Sequence, residues 1–178
     1  MQRLPDLTGK TVLVVGGAPC VLGAHNADYI IAASSGIKSA PNADMLVTID
    51  NMMPPHGVGA DDGFTGLRVV GVPSGNPAHL YIPFPYERVS LAPLHTVEVR
   101  NNGLAAIRLA AKQGARRILL AGFDPAKYDA ANVEYGYDRV TATAFPALIA
   151  ELRTAGVEVM QIDSQPSPRV DPKRKTKA

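Results

Sequence analysis

Three kinds of group in this sequence could handle a polar ligand: glycine turns, small hydroxyl or amide side chains, and carboxylates left at the ends of apolar runs. The segment VVGGAPC sets Gly16, Gly17, Ala18, Pro19 and Cys20 directly after an aliphatic stretch. A glycine turn there lets the backbone approach a phosphate or ribose, and N–H groups at a following helix start would attract an anion. A tight strand-to-helix turn with no ligand is the alternative. The turn matches neither G-x-G-x-x-G nor G-x-x-x-x-G-K-[ST]. Ser34 and Ser35 close a second apolar run, Asp50 a third and Asp124 a fourth. Such a carboxylate can hold a ribose hydroxyl or a magnesium ion, or it can anchor a loop. For Asp124 the N-cap reading is supported by Pro125, a natural first helical residue. Asn101, Asn102 and Gly103 stand at the head of a helical pattern, where they either offer donors to a phosphate or cap the helix. Tyr135 and Tyr137, in VEYGYDRV, either serve a base or a departing phosphate or pack on the surface.

These groups need elements to position them, and the apolar pattern supplies them. KTVLVVGG, DYIIAAS, DMLVTID, LRVVGVP, RRILLAGFD and VEVMQID are aliphatic runs ending in small or polar residues. They suit strands buried on both faces, the habit of parallel sheets. Between the later runs the period becomes helical. In NNGLAAIRLAAKQGA, Leu104, Ile107, Leu109, Ala110 and Ala111 form a stripe, with Gly114 as a left-handed stop. FPALIAELRTAG repeats the form, with Leu148, Ile149 and Leu152 inward, Gly156 closing, and Pro146 placed near the first turn. Proline and glycine interrupt residues 52–96 repeatedly, which predicts loops with one or two strands. Strand–helix alternation with right-handed crossovers predicts one α/β domain of Rossmann type: an open, mostly parallel sheet with helices on both faces and the five apolar residues after Arg117, residues 118–122, as its central strand. Ligands of such sheets bind beyond the carboxyl ends of the strands, where strand order reverses. The glycine turn, the serine pair, Asp50 and Asp124 sit at those ends.

Composition narrows the partners. The 178 residues amount to one domain, expected over 1–165, followed by a flexible basic tail over 166–178. That tail takes five of the basic residues and one acid, leaving 13 basic against 15 acidic residues in residues 1–165. A mildly acidic body is a poor nucleic-acid surface, so any such contact is assigned to the tail. No apolar run approaches the roughly 20 residues that cross a bilayer, and the first residues lack the apolar core of a secretory signal. A cytosolic location is the expectation. The lone Cys20 forms no internal disulfide, and His25, His56, His79 and His95 show no metal-ligand spacing.

Taken together, VLVVGGAPC, ADYIIAASSGI, ADMLVTIDNM and NNGLAAIRLAAKQGARRILLAGFDP resemble the Rossmann-like superfamily of family 42 sialyltransferases and 6-hydroxymethylpterin diphosphokinase-like proteins, and most of all its phage and prophage members. The resemblance covers roughly residues 10–50 and 100–163. It implies a nucleotide or nucleotide-sugar ligand, with glycosyl or phosphoryl transfer as the activity. Gly16 to Cys20 match a G-N-G-P-S turn without its asparagine and serine. Ser34 or Ser35, Asp50 and Asn101 to Gly103 fall on nucleotide-contacting positions, and Tyr135 and Tyr137 on tyrosines that assist the leaving phosphate. A diphosphokinase activity would add magnesium and a second acid near Asp50. The histidine general base of the transferases has no counterpart in residues 125–145, where Asp129, Glu134 or Asp138 would have to stand in. The alternative is a non-catalytic binding or virion-associated protein that keeps the fold.

Overall fold

The computed structural model describes residues 3–18, 20–49, 63–71, 73, 78–82, 87–92, 95–99, 101–123 and 137–162, the side chains of 87–92, 95–99 and 137–142 excepted. Seven strands form one sheet: β1 (Thr11–Val15), β2 (Tyr29–Ala33), β3 (Met45–Thr48), β4 (Leu67–Val70), β5 (His79–Tyr81), β8 (Arg117–Ala121) and β9 (Glu158–Gln161). Their order is β5-β4-β3-β2-β1-β8-β9, and every pairing is parallel. Two further strands, β6 (Glu87–Ala92) and β7 (His95–Val99), make a separate antiparallel pair. The helices are α1 (Asn102–Lys112) and α2 (Tyr137–Thr154), with a 3-10 helix at Ser34–Lys38. No helix among the described residues is long and apolar enough to cross a membrane.

Alternation along the buried strands divides the core into two layers. Val12, Val14, Ile31, Met45, Val47, Ile118 and Leu120 face α1 and α2, while Leu13, Val15, Ala32, Leu46, Leu119 and Ala121 face the other way. Helices therefore lie on both faces, but unequally. One face carries α1 and α2, and the other carries the 3-10 helix with the irregular segments around Cys20, Leu22 and Ala40. The asymmetry follows from connection length. Returning along a five-residue strand, about 17 Å, takes about five extended residues but about eleven helical ones. The segment between Gly16 and Asp28 has no room for that helix and its turns.

From β1 the chain steps through β2, β3 and β4 to β5 on one side, then returns to place β8 and β9 on the other. The links β1–β2 and β2–β3 cover one face and α2, linking β8 to β9, covers the opposite one, as right-handed crossovers require. The reversal of strand order falls between β1 and β8. Arg117–Ala121 is interior but not central; β2 holds the middle place.

Two other expectations change. Residues 52–96 supply β5, β6 and the first two residues of β7 besides β4, because their prolines stand between these runs rather than inside them. α2 begins at Tyr137, so Pro146 lies inside it rather than in its first turn. Its ring is on the exposed side while Ala144, Leu148, Ile149 and Leu152 are buried, and that burial holds the helix through the missing hydrogen bond. Elsewhere the helix ends are as expected: Gly114 at φ 91° and Gly156 at φ 85° take the left-handed stop positions.

The amino edge of the sheet is held by two aspartates. Asp28 accepts the Thr11 N–H at 2.8 Å and Asp44 the Ile30 N–H at 2.7 Å, each extending the ladder past its last backbone pair. The amino-terminal segment crosses the end of α1, where Leu7 N–H donates to Gln113 O at 2.9 Å and Gly9 N–H to Gly114 O at 3.0 Å. These bonds satisfy carbonyls that a helix end leaves open.

Candidate functional site

At the carboxyl edge the ends of β1, β2, β3 and β8 converge with the head of α1. The turn after β1 continues its ladder: Gly16 N–H donates to Ala121 O at 2.7 Å and Ala18 N–H to Gly122 O at 2.9 Å. Gly122 has φ 68°, and a methyl on it would lie 2.7 Å from Gly16 O and 2.8 Å from Ala18 O. Only glycine permits both that conformation and that approach. On the other side of β1, a methyl on Gly17 would meet Ser35 Oγ at 2.5 Å. Gly36 packs on the backbone carbonyls of Val15 and Gly16, leaving no space for a side chain. Ser34 adopts φ 50°, the one non-glycine residue at positive φ among those described.

The head of α1 closes the rim. Asn101 is its N-cap, its Oδ1 accepting the Leu104 N–H at 3.1 Å. Asn102 Oδ1 accepts the Ile49 N–H at 2.7 Å, which ties the helix to the end of β3. Phe123 lies against Gly103, stacks on Phe145 at 5.5 Å, and its carbonyl accepts Gln161 Nε2 at 2.7 Å. Thr48, at the end of β3, is 2% exposed, and its Oγ1 has no hydrogen-bond partner.

The structure brings together Gly16, Gly17, Ala18, Cys20, Ser34, Ser35, Asn101, Asn102 and Gly103. Pro19, Asp50, Asp124 and Tyr135 lie outside the described residues, and Tyr137 opens α2 with its side chain undescribed. One expectation is corrected. No helix begins at GGAPC, since residues 20–27 are non-helical, so no helix dipole backs that turn. Capping accounts for Asn101, and a strand tether accounts for Asn102. Cys20 is 6% exposed and packs in the core layer under the turn.

Gly36, Gly122 and Phe123 belong to the strand-end segments ASSG and GFDP, but sequence reasoning gave these three residues no role of their own. The signal for Gly122 was available: a glycine closing the β8 run directly opposite the glycine turn of β1.

Among the described residues the rim is nearly free of charge. On residues 16–18, 20, 34–38, 48–49, 101–103, 122–123 and 161–162, the one charged side chain is Lys38, exposed in the last turn of the 3-10 helix. These residues can exchange hydrogen bonds with hydroxyls, amides and base edges. None of them is a histidine or carboxylate that could act as general base. Among the described residues no three His, Cys, Asp or Glu side chains gather where a metal ion would be held.

The amino edge differs. A shallow cavity of about 330 Å³ opens there, lined by Arg3, Pro5, Tyr29, Thr65, Gly66 and Leu67. Burial, aided by the Asp44 charge, pushes the Tyr29 hydroxyl up to about 12. The cavity includes none of the sequence-predicted site residues and lies across the sheet from the strand-order reversal.

The comparisons add no relative. No protein-family model matches the chain, and neither the curated proteins nor the solved structures yield a match.

Proposed function

We propose that this chain is a nucleotide-binding protein whose ligand sits on the carboxyl rim of the sheet, around Gly17, Ser34, Ser35 and Asn102. One observation carries the reading: separate stretches of sequence with small, hydroxyl or amide side chains meet at one rim, next to the reversal of strand order. That is where open α/β sheets take their ligands. The resemblance to family 42 transferases supplies the ligand class and, through its phage and prophage members, an origin. Glycosyl or phosphoryl transfer from a nucleotide donor is the activity it suggests, with Tyr135, Tyr137 and Asp124 as the groups to test. A magnesium ion accompanying the nucleotide would look to Asp50 and a second acid.

The scarcity of charge among the described rim residues favours a second reading, in which the fold binds without turnover. A transferase needs a base within hydrogen-bond reach of its acceptor, and no described rim residue supplies one. Residues 125–145 contain no histidine.

Thermal unfolding with added nucleotides tests the binding claim shared by both readings. A ligand at 100 times its dissociation constant stabilises the folded chain by about 2.7 kcal/mol. Stabilisation by CMP, UDP, GTP or their sugar conjugates supports it, and a flat response across all of them removes it. Turnover of a sugar conjugate, followed by release of free nucleotide, then separates transferase from binder.

A further inference from the structure

We infer that Arg153 guards the outer edge of the sheet, keeping β9 from pairing with the β9 of a second copy of this chain. Among the described residues β9 is the last strand of the sheet. Glu158 N–H donates to Arg116 O at 3.0 Å and Ile162 N–H to Leu120 O at 2.9 Å, so residues 158, 160 and 162 turn their backbone groups toward β8. Those of Val159 and Gln161 face the other way, into the lane where a further strand would lie about 4.8 Å off. Arg153 enters that lane, its Nη2 donating to Val159 O at 2.8 Å. The turn before β9 sets it there. Gly156, at φ 85°, donates to Arg153 O at 3.0 Å and Val157 N–H to Leu152 O at 2.9 Å, the paired bonds of a Schellman stop. α2 therefore ends with Arg153 beside the edge that the next residues form.

Such an edge is open to another strand unless something blunts it, commonly shortness, proline, lysine or an inward-pointing charge. Apart from its four-residue length, Glu158–Gln161 has no proline or lysine, and its Met160 is 45% exposed. Glu158, its one charged residue, is paired with Arg117 of β8 at 2.7 Å and so is drawn away from the lane. In a two-fold antiparallel pairing about Val159, Met160 of each copy would lie opposite Glu158 of the other, and no like charges within the strands would meet. The two Arg153 guanidinium groups would meet, and each would have to give up its bond to Val159 O. The strand sequence permits self-pairing; the arginine opposes it.

Sedimentation of the intact chain over a range of concentrations, with circular dichroism to follow the fold, tests the guard. Arg153 is exposed at a helix end, where alanine is well tolerated, so Arg153→Ala is expected to keep the wild-type spectrum. Its mass should rise to about twice that of the wild type or more as concentration increases. Arg153→Ala combined with Met160→Lys should return to the wild-type mass, because a lysine on the edge replaces the lost cation, whereas association caused by unfolding would not respond to it. A folded Arg153→Ala with the wild-type mass at every concentration overturns the inference, as does association that the lysine does not reverse. Loss of the folded spectrum in Arg153→Ala also overturns it, since the arginine would then serve the fold itself rather than its edge.

Discussion

At the amino edge of the sheet the strand ends are tied by carboxylates, whereas the described ties at the carboxyl edge are backbone contacts and neutral amide side chains. Asp28 and Asp44 reach across to the N–H groups of Thr11 and Ile30. Opposite them, Gly16, Gly36 and Gly122 let main chain lie directly on main chain. The contrast shows how one sheet separates anchoring from access. Charged anchors occupy the edge that needs only to stay closed, and the described residues of the other edge carry small or neutral side chains. Asp44 also affects its neighbour, since its charge adds to burial in raising the Tyr29 pKa.

Substitutions can break either side of that contrast. Gly36→Ala should be the most damaging, because a methyl there meets the Val15 carbonyl and the backbone itself must move. A loss of about 3 kcal/mol or more in urea unfolding is expected. Asp44→Ala should cost about 2 kcal/mol by removing a charge-assisted bond and leaving the Ile30 N–H without its carboxylate. It should leave nucleotide affinity unchanged, which a titration on the folded variant checks.

The smallest effect is in alkali. The unfolded chain releases the Tyr29 proton near 10 and the folded chain near 12, so the folded state binds more protons in between. Stability is therefore intact below about pH 10 and falls as pH rises from about 10 towards 12. Tyr29→Phe should flatten that fall, read from unfolding midpoints across the range.

Much of this was legible from residues alone. The apolar runs at Thr11–Val15, Tyr29–Ala33, Met45–Thr48, Leu67–Val70, Arg117–Ala121 and Glu158–Gln161 announced strands buried on both faces, and Leu104 to Ala111 announced a helix. That pattern also placed the glycine turn and the serine pair at strand ends on one edge, while the asparagine pair was legible only as the head of a helix. Sheet order was harder to read, because it depends on which strand the chain returns to after leaving β5, and no local property of RRILLA records that. The missing helix after GGAPC was a matter of counting residues between strands. The aspartate anchors were written as ADY and ADM, an Ala-Asp pair before each strand. A carboxylate at a strand start reads as ordinary solvation until the partner strand is known. The uneven roles of the two asparagines, Asn101 capping and Asn102 reaching Ile49, depend on a contact 53 positions away in sequence.

The division of labour between the edges is tested most directly by backbone amide NMR during addition of the nucleotide that most raises the unfolding temperature. Shifts concentrated at Gly17, Ser34, Ser35 and Asn102, with Tyr29, Asp44 and Gly66 unmoved, are the predicted result. Shifts centred on Arg3, Tyr29 and Gly66 would place the ligand at the wrong end of the sheet and contradict the assignment of the carboxyl rim as the binding site.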